Sequence, residues 1–102
     1  MLLAEFSMWP MDKGESVGQY VARLLDIVYR SGLPYRLGPL GTCIEGEWDD
    51  VMKVVTKCWK RMSKDSVRIT FSIKGDWRRG SKGRLASKVE TVEKKLGRKL
   101  RT

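Results

Sequence analysis

A chain of 102 residues, 41% hydrophobic and 32% charged, has the composition of one ordinary globular domain and is too short for two. No apolar run approaches bilayer length, and the lack of histidine removes imidazole as a catalytic base or metal ligand. The net charge of +9 is local: from Lys74 onward eleven Lys and Arg stand against three Asp and Glu, and the chain before Lys74 is nearly neutral.

Met1 to Met11 is apolar but short, lacks a basic leader and carries Glu5, so it reads as a strand and not a signal peptide. Leu2, Ala4, Phe6 and Met8 alternate with Leu3, Glu5 and Ser7, and Pro10 and Gly14 end the run. A helix is expected from Ser16, with Gln19 placed for a capping box. Val17, Tyr20, Val21, Leu24, Ile27 and Val28 form its apolar stripe. Gly32 and Pro34 stop it. Tyr35–Leu37 and Thr42–Glu45 flank Gly38-Pro39-Leu40-Gly41, which predicts a hairpin: the glycines permit positive φ and Pro39 fixes its own.

A second helix is expected from Glu47–Asp49, with an acidic first turn, an apolar face through Trp48, Val51, Met52, Val55, Cys58, Trp59 and Met62, and a basic end. Val67 to Lys74 alternates cleanly, with Val67, Ile69, Phe71 and Ile73 assigned to the core side and Arg68, Thr70, Ser72 and Lys74 to the other. A loop from Gly75 to about Gly83 leads to a last helix, Leu85 to Leu96, which Gly97 ends. Residues 1–97 are read as one domain and 98–102 as a frayed basic tail.

The order β-α-β-β-α-β plus a terminal helix predicts an α+β, ferredoxin-like domain with a four-stranded antiparallel sheet. Right-handed crossovers put the first and third strands in the centre and both long helices on one face. The other face then carries Leu3, Glu5, Ser7 and Trp9 from the first strand and Thr70, Ser72 and Lys74 from the last. It is only half polar, which is the basis for expecting a homo-oligomer.

The ordered segments Ala4-Glu5-Phe6-Ser7, Gly14-Glu15-Ser16-Val17, Pro39-Leu40-Gly41-Thr42, Ile44-Glu45-Gly46-Glu47-Trp48, Ile73-Lys74-Gly75-Asp76-Trp77-Arg78-Arg79 and Lys88-Val89-Glu90-Thr91-Val92-Glu93 resemble the thiamine-binding protein family, in the YkoF-like superfamily. The resemblance covers nearly the whole chain. It implies a ferredoxin-like subunit, dimers joined through their sheets and commonly a tetramer, a dimer of dimers. It also implies binding of thiamine or its hydroxymethylpyrimidine part in some members, without catalysis. Trp9 and Trp77 depart from the family pattern.

An aminopyrimidine presents ring acceptors and an amine donor, and asks for a hydroxyl, an acceptor and a flat wall. Ser7, Thr42, Thr70 and Ser72 are the candidate hydroxyls, Glu5 and Glu45 the candidate acceptors, and Trp9 or Trp77 the candidate wall. Arg78, with Arg79, is the candidate clamp for a phosphorylated ligand if the basic helix folds over the site. Each has a plainer reading: Thr70 and Ser72 as β-formers, Thr42 as a turn hydroxyl, Glu47 as a helix cap, Glu5 in an ion pair with Arg68 or Lys74. No metal site, cofactor motif or membrane segment is expected, and Cys43 and Cys58 stand in no metal or redox spacing, which suits the cytoplasm.

Nucleic acid is the alternative partner. A ferredoxin-like sheet with an open face is also the plan of an RNA-recognition module, and the basic C-terminal segment would supply phosphate affinity. Against it, alternation assigns Phe71 to the core and leaves no stacking aromatic outward on the last strand. The expectation is a cytoplasmic, non-enzymatic homo-oligomer that holds a thiamine-like pyrimidine near a subunit interface.

Overall fold

The computed structural model describes residues 1–102. Its elements are β1 (Leu2–Pro10), α1 (Gly18–Arg30), β2 (Tyr35–Leu37), β3 (Thr42–Gly46), α2 (Trp48–Ser63), β4 (Ile69–Trp77) and α3 (Arg84–Leu96). The strands form one antiparallel sheet in the order β2-β3-β1-β4, the ferredoxin-like arrangement with β1 and β3 central.

Alternation in β1 builds the core. Leu2, Ala4, Phe6 and Met8 are buried and meet Ile44 of β3, Leu24 and Val28 of α1, and Val51, Val54, Val55, Cys58 and Met62 of α2 in a single apolar cluster. Burial of Cys58 pushes its thiol up to about 11, so it behaves as a small apolar side chain. The stripe of α2 is wider than this core, and Trp48 and Trp59 remain half exposed on its shoulder.

Local chemistry moves some boundaries. α1 starts at Gly18, not Ser16: Val17 is its N-cap, its carbonyl accepts from Tyr20 N and Val21 N, and no side chain caps it. β4 starts at Ile69 because Asp12 captures the preceding residues. Its carboxylate accepts from Val67 N at 3.0 Å and from the Ser66 hydroxyl. Val67 is thereby expelled from the sheet and is 93% exposed. At the other end β4 runs on through Gly75 to Trp77, because β1 extends to Leu2 and pairs with it in register.

β4 is an uncovered edge. Ile69, Phe71, Ile73, Gly75 and Trp77 face the same side as the buried residues of β1; Ile69 packs against the core, but Phe71, Ile73 and Trp77 are left exposed. Phe71 is 60% exposed, against its expected place in the core. α3 projects from the opposite face. The radius of gyration is 14.9 Å, against about 13 Å for a compact chain of this length. Leu100 N donates to the Glu93 carboxylate at 2.6 Å, which folds the last residues back on α3.

Ile44, fully buried in a central strand, is the sharpest test of this core. Ile44→Ala is expected to lower unfolding free energy by about 3 kcal/mol, read from urea midpoints. Val67→Ala should change it by less than about 0.5 kcal/mol.

A candidate ligand cavity at the hairpin end of the sheet

The two ends of the sheet differ in chemistry. At one end α3 is latched to the face away from α1 and α2. Register places Glu45 of β3, Leu3 of β1 and Asp76 of β4 in one row across that face. Glu45 is buried and accepts from Arg84 N at 2.9 Å and Leu85 N at 3.5 Å, satisfying the first amides of α3. The buried Arg84 guanidinium donates to the Asp76 carboxylate (2.8 Å), the Asp76 carbonyl (2.7 Å) and the Met1 carbonyl (3.0 Å). Lys88 adds a 2.8 Å bond to Asp76 and, with Arg84, holds its carboxyl below the usual carboxylate range.

At the other end a cavity of about 270 Å³ opens. β3 pairs with β1 only from Leu2 to Phe6, while β1 continues to Pro10 against β4. Beyond Phe6, therefore, the β3-facing edge of β1 has no strand beside it. The turn at Gly38–Gly41, closed by Gly38 N donating to Gly41 O at 2.8 Å, curls over the gap, and α1 forms its floor. Gly41 allows a close approach here: a Cβ would stand a tight 3.2 Å from both the Phe6 carbonyl and Glu5 Cγ. The walls are Phe6, Ser7, Met8 and Trp9 of β1, Val17, Val21, Leu24 and Leu25 at α1, and Leu37 to Thr42 of the hairpin.

Three of the sequence-selected residues, Ser7, Trp9 and Thr42, line this cavity. Thr42 is buried, and no side-chain hydrogen bond of the fold engages its hydroxyl. The Ser7 hydroxyl lies 3.1 Å from that of Ser72, and Thr70 stands opposite Trp9. Glu5 packs beneath Gly41 and belongs to a polar row, Arg36–Cys43–Glu5–Lys74, that crosses all four strands. Cys43 Sγ lies 3.8 Å from the Glu5 carboxylate; desolvation, then this charge, raises its pKa and keeps it a thiol. Glu45 and Arg78 are not part of the cavity. Glu45 is the α3 cap, and Arg78 pairs through its backbone with Met1 at the latched end. The apolar walls from Val17, Val21 and Leu25 carry no distinct signal in the sequence, because Val17 and Val21 fall on a helical stripe that a core produces equally well. Glu47 occupies the N-cap of α2 without a side-chain capping bond.

A model of the family described as thiamine-binding protein matches residues 4–93. The chain belongs to the thiamine-binding protein family. A UPF0045 protein of Mycobacterium bovis is 38% identical over 96 residues, 93% of this chain and 94% of its own. One from Methanocaldococcus jannaschii is 30% identical over 95 residues, 93% of this chain and 88% of its own. The crystal structure of a hypothetical protein from M. jannaschii superposes with a TM-score of 0.82 at 26% identity, covering 89% of this chain and 94% of that one. A Thermotoga maritima structure, titled as a protein thought to act in thiamine biosynthesis or salvage, gives 0.78 at 19% identity over 89% and 97% of the two chains, a likeness of fold. No group of His, Cys, Asp and Glu side chains is arranged to hold a metal, and no helix is long and apolar enough to cross a membrane.

The α3 latch gives a pH signature. A carboxyl with a lowered folded pKa contributes its stability above the unfolded value and loses it as pH falls through the folded one. Protection of α3 amides from hydrogen exchange should therefore be full at neutral pH and fall below about pH 3.5, before global unfolding. In Asp76→Asn it should be weakened already at neutral pH.

Proposed function

We propose that the protein is a non-enzymatic binder of thiamine or its hydroxymethylpyrimidine part, held in the cavity between β1, α1 and the β2–β3 hairpin. The observation that carries this reading is the parting of β3 from β1 after Phe6. It leaves a stretch of strand edge whose N–H and C=O groups have no ladder partner on that side. An aminopyrimidine offers the complementary donor and acceptor pattern on one edge of a flat ring. Thr42 and Ser7 line the cavity beside that edge, the Ser7 hydroxyl shared with Ser72, and Phe6, Leu24 and Trp9 supply apolar walls. Membership of the thiamine-binding family and the fold shared with the T. maritima protein support the same ligand class. In thiamine the second, cationic ring would lie at the mouth, where Trp9 and Glu5 suit a positive charge.

The reading extends to assembly and compartment. β4 is a nine-residue edge with Phe71, Ile73 and Trp77 exposed on one side, a surface that a soluble chain covers or blunts. A second copy on this edge, within a dimer of dimers, accounts for both the uncovered strand and the extended shape. Two unpaired cysteines suit the cytoplasm. The same strand favours one rival. Exposed Phe71 and Trp77, with the Arg79 guanidinium 5.5 Å from the Trp77 ring and the basic segment following, are also features of an RNA-binding surface.

Calorimetric titration with thiamine and with hydroxymethylpyrimidine should give dissociation constants well below about 1 mM. Thr42→Val and Ser7→Ala should each weaken binding about five- to tenfold, a lost hydrogen bond, with urea midpoints unchanged, and Glu5→Gln should weaken thiamine more than the neutral pyrimidine. Absence of any binding tighter than 1 mM would remove the reading. Light scattering should find a multiple of the 11.7 kDa protomer that Phe71→Glu reduces at least by half. A native monomer that retains RNA at moderate salt would favour the rival.

A further inference from the structure

We infer that this cavity selects the unphosphorylated ligand and rejects its phosphate esters; the inference rests on the reading of the cavity just given. The choice matters chemically, because a chain of net charge +9 would by simple attraction favour the esters. Where the charge stands decides against that.

No ionisable side chain lines the cavity. The one that packs against its wall is Glu5, beneath Gly41, and it is an anion. Arg36 turns to the sheet face opposite Cys43, while its neighbour Leu37 takes the wall position. The cationic segment lies at the far end of the sheet. Trp77 pairs with Leu2, whereas the cavity residue Trp9 pairs with Thr70. Seven residues of strand separate these pairs, about 23 Å, several screening lengths at physiological salt. Arg78 and Arg79 follow Trp77 directly, and Glu45 and Asp76 hold α3 at that same end.

Lys74 stands across from Glu5 on β4 and outside the walls, and a further positive feature is the N-terminus of α1, whose first amides have no side-chain cap. Those residues, Gly18 and Gln19, are exposed and stand outside the walls, which Val17 and Val21 supply there. A phosphate carried by a ring seated in the cavity thus meets apolar side chains and a carboxylate, and loses hydration without gaining a counter-charge. The neutral hydroxymethyl group in its place needs one hydrogen bond, which the Thr42 hydroxyl or the free strand edge can supply.

The test compares hydroxymethylpyrimidine with its monophosphate by calorimetry on the full chain. The alcohol is expected to bind at least tenfold more tightly than the ester. Leu40→Arg sets a cation on the rim at a side chain that is 91% exposed, so folding is undisturbed, and it should narrow the ratio of the two affinities at least threefold in favour of the ester. Equal affinities, or a tighter ester, would overturn the selection while leaving the cavity as the binding site. Failure of both compounds to bind would remove the cavity reading itself, and the selection with it.

Discussion

Everything distinctive about this molecule follows from a mismatch in strand length. β1 is nine residues long and pairs with β4 along its whole length, but β3 is five residues long and accompanies β1 only to Phe6. A sheet tolerates such a mismatch only if the orphaned backbone edge meets something else. Here the tight hairpin turn, pressed close enough that a side chain at Gly41 would crowd Glu5 and the Phe6 carbonyl, bends over the gap. The result is a cavity at the edge of β1, because beyond Phe6 that strand has no neighbour on its β3 side.

The second organising feature is the separation of charge from that cavity. Burying Glu45 would be expensive were it not for the α3 amides it accepts from, and Arg84 is tolerated inside because Asp76 and two carbonyls receive its terminal Nη donors, with Nε alone left unpartnered. These contacts anchor the basic helix at the end of the sheet remote from the hairpin. The molecule therefore has a cationic end and an apolar end, and its high net charge describes only the first.

A third consequence is an unfinished protomer. Helices that crossed back over the sheet from β1 and β3 cover the two central strands and stop short of β4. Apolar side chains alternate along β4 as they would in a covered strand, but what covers them is not in the same chain. Within one protomer the pattern is satisfied only halfway, which is the physical sense of an elongated shape with Phe71 and Trp77 on its surface.

Periodicity in the sequence was enough to determine the element order, the strand that forms the centre of the core, the hairpin and the ferredoxin-like sheet, since each depends on residues close in the chain. Of the polar and aromatic residues it singled out, Ser7, Trp9 and Thr42 line the cavity, whereas Glu5, Glu45, Thr70, Ser72 and Arg78 do not. Three-dimensional packing alone decided the rest. Whether Phe71 is covered depends on how far α2 reaches; whether Val67 joins the strand depends on Asp12, some fifty residues earlier. That Glu45 serves α3 while Thr42, three residues before it, faces the cavity depends on which end of the sheet the last helix meets. Alternation along a strand reports which side a residue faces, but carries no information about what, if anything, lies on that side.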